Sequence, residues 1–422
     1  MKDILNIQYK KHILPNGLEV ILHQDNSLPL TAVNLWYKVG SANEVKGKTG
    51  FAHLFEHMMF QGSQNVAKEM HFKYIQEAGG SLNGSTSIDR TNYYETVPSN
   101  FLEMALWLES DRMGFLLPAL TQEKLTNQKD VVMNERRQSY ENRPYGLSWE
   151  LIFSNLYNED HPYHWPTIGW MKDIEKYELD DVKNFFKKYY APNNASIIIA
   201  GDIKIDTTLK LVEKYFGGIP AGEIVQVPIS ENQKLQETKK IVHEDNVELP
   251  RMYLVWNSEK LYGKDDAALD VLADILFGSK NSRFIKSLVY EKQIAHEVSG
   301  FQYSANLNGS FLIIATAKPE TNLDEIKTEI FIEIKRLINE GITEEELTRS
   351  KNSNKSSFIY SLQNLSTKAD LMNNYNTYLN EPNSFFYDYE RINNLKVDDI
   401  VNAAKKYLIN NYVELNIVPK GK

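Results

Sequence analysis

Two imidazoles and a carboxylate fall within five residues of this chain, at His53, Glu56 and His57. The flanks, Gly50-Phe51-Ala52 and Met58-Met59-Phe60, are apolar, so the stretch reads as a buried helix. Residues four apart share one helix face, and His53 and His57 can therefore grip one metal ion through their ring nitrogens. Buried histidines need partners, and a single ion partners both. Glu56 is placed beside such an ion, where a carboxylate can take a proton from a metal-activated water. The order His-x-x-Glu-His reverses the commoner His-Glu-x-x-His and allows the same hydrolytic chemistry. A helix with two structural histidines and a surface glutamate would have the same sequence, so the surroundings must decide.

The chain has no cysteine, which excludes disulfides and zinc-thiolate centres. Any metal must be held by imidazoles and carboxylates, the donor set of catalytic rather than structural zinc. A net charge of −9 without a basic cluster argues against nucleic acid. No apolar run approaches the roughly 18 residues of a membrane span. Met1-Lys2-Asp3-Ile4 leads into no apolar segment of signal-peptide type. The expectation is a soluble chain, cytoplasmic as given, or periplasmic if a signal peptide was removed ahead of residue 1. At 422 residues the chain exceeds one compact core and calls for two or three domains.

The elements that must carry the motif occur twice. Strands at 11–14 and 18–23 flank Asn16-Gly17, a strong hairpin signal. A strand at 31–39 leads into the motif helix, and a helix at 66–78 stops at Gly79-Gly80. A polar strand at 81–87, a strand at 91–97 and long helices at 100–113 and 121–139 follow. A helix at 179–189 and a strand at 195–200 close the half. The second half keeps this order, with a strand at 252–256, a helix at 267–277 and a strand at 309–317. Helices at 322–339, 343–361 and 395–408 and a strand at 413–418 complete it. The spacing predicts an α+β fold of two homologous domains, each a mostly antiparallel sheet with helices packed on one face. The expected boundaries are 1–220 for the metal-binding domain, 221–240 for a polar linker and 241–422 for its homologue. The second half has apolar and small residues around 269–276 where the motif would stand, so only one half can bind metal. The other serves as wall, lid or substrate platform.

The motif, the strand Ser81-Leu82-Asn83-Gly84-Ser85-Thr86, Thr91-Asn92-Tyr93-Tyr94 and Val131-Val132-Met133-Asn134-Glu135-Arg136-Arg137 together resemble the M16 metallopeptidases. These are the group of pitrilysin, insulin-degrading enzyme and mitochondrial processing peptidase. The resemblance covers essentially the whole chain, and the length resembles the class whose two-domain subunits form dimers. It implies one zinc ion held by His53, His57 and a glutamate well downstream, a place that Glu135 fits. From the residues alone Glu109 and Glu123 stand equal with Glu135, as does a plain surface pairing of Glu135 with a nearby arginine. Many members carry another carboxylate seven residues before the ligand, where this chain has Gln128. His71, His161 and His164 are lesser candidates, and His161-Pro162-Tyr163-His164 reads as a structural loop. The resemblance further implies that Glu56 is the proton carrier of peptide hydrolysis. It implies too that Ser81, Leu82, Asn83, Gly84 and Ser85 bind a substrate peptide by β-augmentation. Read bare, that strand is an ordinary solvent-facing edge.

One departure limits the expectation. In the family an arginine and a tyrosine seven residues later help bind substrate and stabilise the oxyanion. Here Val289 and His296 stand at those places, and Arg283 and Tyr290 have the right separation only out of register. The resemblance therefore implies a zinc endopeptidase of short or unfolded peptides, working in a clamshell dimer. A related partner subunit without the zinc motif would supply the Arg/Tyr pair. The alternatives are a non-catalytic structural subunit, of the core-protein kind, and a peptide-binding chamber with structural zinc. The complete set His53, Glu56, His57 and Glu135 favours the first reading.

Overall fold

Strands β1 (Lys10–Ile13), β2 (Glu19–Gln24), β3 (Leu30–Tyr37), β4 (Ser81–Thr86), β5 (Thr91–Pro98) and β6 (Ala195–Gly201) form one sheet. Their order is β1-β2-β6-β3-β5-β4, antiparallel except where β2 meets β6. The computed structural model describes residues 1–230 and 234–421, so part of the expected 221–240 linker lies outside the described residues. β6 is buried along its whole length, which its Ser-Ile-Ile-Ile-Ala run allows at the centre of a sheet covered on both faces. β4 carries no large apolar face beyond Leu82 and lies at the edge. Gly17 closes the β1–β2 turn at φ +87°, where a Cβ would also strike Asn193.

One face of this sheet receives the motif helix Phe51–Met58 and the helix Leu102–Phe115. The other is covered by Leu365–Leu379, a helix from the far half of the chain. Its contact is polar: Asn373 Nδ2 donates to Asn34 O and Oδ1 at 2.9 and 3.0 Å, and Ser196 Oγ donates to Asn373 Oδ1. Asp370 Oδ1 accepts from Trp36 Nε1 at 2.9 Å and from Asn34 and Asn92 at 3.1 Å. The buried stripe of this helix, Ala369, Met372, Asn373, Tyr375 and Asn376, is interrupted by two amides, which blurs its hydrophobic pattern.

The second sheet contains β7 (Lys239–Asp245), β8 (Arg251–Ser258), β9 (Ala295–Ser304), β10 (Gly309–Ala317) and β11 (Val413–Pro419). Its order β7-β11-β8-β10-β9, parallel only between β7 and β11, repeats β2-β6-β3-β5-β4 of the first. The helix Asp266–Phe277 lies where the motif helix lies in the first sheet, and is buried nearly all round. A helix from the first half, Ser148–Leu156, packs on β11 and β8. The compact units are accordingly Met1–Arg136 with Trp165–Pro228 and Ile359–Tyr387, and Arg137–His164 with Ile229–Phe358 and Asp388–Lys422. Each sequence half thus lends a segment to the other unit. The α+β class with two sheets stands, with one exchanged helix added to each sheet, Leu365–Leu379 on the second face of the first and Ser148–Leu156 on the second sheet.

Two expected elements differ in extent. The helix at 66–78 begins only at Met70, after Glu69 has turned to φ +69°. The helix at 121–139 is α-helical over Gln122–Arg136 and then widens into a π-turn, Arg137–Glu141. Among the described residues no helix is long and apolar enough to cross a membrane.

Candidate metal centre

The motif helix has only eight residues, too few to be stable by itself, so tertiary contacts must hold it. Its entry is Gly50 at φ +92°, where a Cβ would lie 2.5 Å from Ile168 O. Just ahead, Glu44 is buried and accepts Gly50 N at 2.8 Å and Ala52 N at 2.9 Å, satisfying amides that a helix N-terminus leaves open. Asp173 Oδ2 accepts the Thr49 hydroxyl at 2.8 Å, and the Tyr177 hydroxyl donates to Thr49 O. On the inner side Phe51 packs on Tyr177 at 4.0 Å, and Phe55 stacks on Phe185 and Tyr190 at 5.4 and 5.0 Å between ring centres.

This scaffold brings His53 and His57 face to face with Glu135, from the helix Gln122–Arg136. His57 Nε2 is 3.2 Å from Glu135 Oε2, and His53 Nε2 is 3.6 Å from Oε1. The three donor atoms lie within 4.8 Å of one another. Burial, and then the neighbouring His57, push the His53 imidazole down to about 4, which keeps its lone pair available. The hydrogen bond with His57 holds Glu135 below the usual carboxylate range. Two imidazoles and a carboxylate converging on one point fit the donor set of a catalytic zinc ion.

Glu56 lies beside that point and is not one of the converging donors. Burial raises its carboxyl above the ordinary range, against a hydrogen bond from Thr86. A carboxyl so placed can take up and return a proton. Gly84 lies flush on it: a Cβ there would be 3.3 Å from Glu56 Cγ and 3.2 Å from Tyr93 Cδ1.

The strand register says which part of β4 is open. Ser87 N donates to Arg90 O at 2.8 Å, so Ser81, Asn83 and Ser85 turn their main-chain groups to β5. Leu82, Gly84 and Thr86 direct theirs to the free edge, where the described residues place no further strand. Side chains alternate the other way. Gly84 and Thr86 face Glu56, while Ser81, Asn83 and Ser85 lie with Thr96, Tyr94 and Asn92 on the opposite face.

The other candidates are placed elsewhere. Glu123 sits exposed at the start of the helix that carries Glu135, about 18 Å from it along the axis. Glu109 is fully buried and gives both oxygens to Arg112, with Oε1 3.9 Å from His71 Nε2. His71, Glu95 and Glu109 form a second converging group, but there Glu109 is already paired with Arg112. Gln128 is buried and offers no carboxylate. His161 Nδ1 accepts Tyr163 N at 3.0 Å, and His164 Nδ1 pairs with Tyr157 O at 3.0 Å, so both brace their own turn. In the second unit Val289 packs against the core and His296 is exposed on β9. Arg283 is engaged by Glu346 at 2.7 and 2.8 Å and by Gly341 O at 3.0 Å. Glu44, and the hydrogen bond of Thr86 to Glu56, went unnoticed in the sequence. An acidic residue shortly before a glycine-led helix would have been the signal for Glu44.

Residues 19–163 match the family model described as Insulinase (Peptidase family M16), and 176–354 the one described as Peptidase M16 inactive domain. The zinc protease PqqE of Helicobacter pylori is 32% identical over 93% of this chain and 89% of its own length. An uncharacterized zinc protease of Bacillus subtilis, YmxG, is 25% identical over 98% of each chain. The crystal structure of a protease from Helicobacter pylori has a TM-score of 0.92 at 30% identity, covering 98% of this chain and 100% of that one. The crystal structure of a peptidase M16 inactive domain from Pseudomonas fluorescens shares the fold at a TM-score of 0.86 and 19% identity, covering 98% and 99%. Fold and donor set define a two-sheet protein of the metallopeptidase kind. The chain belongs to the M16 peptidase family.

Proposed function

We propose that this chain is the zinc-bearing subunit of an endopeptidase that cleaves short or unfolded peptides inside a clamshell dimer. The convergence of His53, His57 and Glu135 beside Glu56 carries the reading. When bound, zinc would supply a Lewis acid that polarises a peptide carbonyl and makes water acidic. His53, His57 and Glu135 would hold it. Glu56 takes the proton of the attacking water and returns it to the leaving amine. Leu82, Gly84 and Thr86 turn main-chain groups to the free edge, where an extended peptide can pair once Asn83 Oδ1 gives up the Gly84 N–H that it accepts at 2.9 Å; a folded substrate would be excluded. Gly84 has no side chain to stand between Glu56 on the face of β4 and a peptide at its edge.

Among the described residues the second half carries no comparable donor set, in keeping with its match to an inactive-domain model. Val289 and His296 leave the chain without an Arg/Tyr pair, so the proposal includes a related partner that has the pair and lacks the zinc motif. The test is hydrolysis of a quenched fluorescent peptide by the zinc-loaded chain, alone and with such a partner. Cleavage that needs both chains and is abolished by a chelator supports the proposal. Full activity from the chain alone contradicts the partner, and no metal-dependent cleavage in either arm contradicts the enzyme.

A further inference from the structure

Only one face of β4 is used by the chemistry above. On the other, Ser81, Asn83 and Ser85 look toward the first turns of Leu365–Leu379, and the packing there leaves two cavities in line along the strand. The larger, about 520 Å³, lies at the Ser81 and Asn83 end. Leu28, Leu365 and the Tyr94 ring wall it, and Leu28 is 60% exposed although it is a large apolar side chain. The charges at its rim cancel, because Lys368 Nζ is bonded to Asp25 at 2.9 Å. The smaller, about 230 Å³, lies at the Ser85 end and is lined by polar groups, among them Asn92, Thr367 and Asp370. Asp370 is already held there by three N–H donors.

An extended chain paired with the free edge of β4 advances about 3.3 Å per residue and sends alternate side chains to the two faces. Residues whose neighbours face Glu56 must therefore point toward these cavities. Ser85 and Asn83 are two residues apart on one face, so the cavities they border take substrate side chains that are likewise two apart. We propose that the two cavities are side-chain subsites of the peptide held on β4. The Leu28 cavity takes a bulky apolar or aromatic residue, and the Asp370 cavity, two positions along, takes a small polar one. The substrate class is then an extended peptide with that alternation rather than any unfolded chain. This rests on the pairing with β4 proposed above.

The experiment uses the zinc-loaded chain with its partner and two peptides that differ only by Phe or Ala at the position found to face Leu28 in a cleavage profile. A well-filled apolar subsite should favour Phe by about tenfold in kcat/KM. Leu28→Ser, which alters an exposed loop residue, should reduce that Phe-to-Ala ratio at least several-fold, and Ser27→Trp, which fills the same cavity from its rim, should do likewise. A second measurement, peptide binding to the Glu56→Gln protein by fluorescence anisotropy, should show the same preference without turnover. Both ratios unchanged in both variants, with cleavage intact, would overturn the subsites and leave the β4 pairing standing. Loss of cleavage and binding for every peptide in the parent protein would instead overturn the β4 reading, and the subsites with it.

Discussion

The buried Glu44 carboxylate accepts the main-chain N–H of Ala52 at 2.9 Å, one residue ahead of the first imidazole of the motif. With its second bond to Gly50, it fixes the first turn of an eight-residue helix whose histidines must converge with a glutamate from another helix. Glu44→Ala removes both acceptors and leaves buried amides unpaired. We expect about 2–3 kcal/mol less stability by urea unfolding. Zinc affinity, read by competition with a chromophoric chelator, should fall about 10–100-fold, as for other losses of ligand support.

Glu135→Gln should lose stoichiometric zinc while the fold is kept, because Glu135 is half-buried at the end of its helix. Glu123→Gln, on the same helix, should leave zinc content unchanged. Glu109→Gln should separate the two properties in the opposite sense. It strands the buried Arg112 guanidinium at a cost of about 3–5 kcal/mol, yet the folded protein should bind zinc as before. Zinc content by elemental analysis, beside unfolding curves, checks all three.

Gly84→Val should spare the metal and impair the chemistry. The new side chain would press on Glu56, Phe60 and Tyr93, each within 3.3 Å of even a Cβ. A displacement of that size at a proton carrier costs about 10²-fold in kcat. Steady-state kinetics on the zinc-replete variant gives the answer.

Acid should weaken the first unit partly through Glu19. Burial alone would raise this carboxyl, but the bonds from Lys11 and Lys38, at 2.8 and 2.6 Å, outweigh it and hold it at about 2. A folded value below the unfolded one contributes stability above about 4.5, which is lost as pH falls through 2. After allowance for solvent screening of the two lysines, the contribution is about 1–2 kcal/mol. The stability difference between parent and Glu19→Gln should therefore be present at pH 7 and shrink steadily between pH 4.5 and 2.

What could be read from the sequence was local. Asn16-Gly17 announced its turn, the helix Leu179–Tyr189 followed its apolar period, and His53, Glu56 and His57 share a face by spacing alone. The strand β9 was not legible, since His296, Glu297, Ser299 and Gln302 break any apolar alternation. Nor was the helix Leu365–Leu379, whose buried Asn373 and Asn376 look like surface residues until Asn34, Ser196 and Glu19 are brought to them. The third donor shows the same limit. Glu109, Glu123 and Glu135 all sit on helices, and only the tertiary approach of two helices separates an internal ion pair, a solvated carboxylate and a group 3.2 Å from His57.

Zinc content and peptide cleavage, measured on one preparation each of the parent and of Glu56→Gln with the partner present, test the metal centre most directly. Both proteins should carry one zinc per chain, and cleavage by Glu56→Gln should be lower by about 10²–10⁴-fold. A Glu56→Gln protein as active as the parent, or a parent that cleaves at full rate after His53→Ala and His57→Ala have removed the zinc, would contradict it.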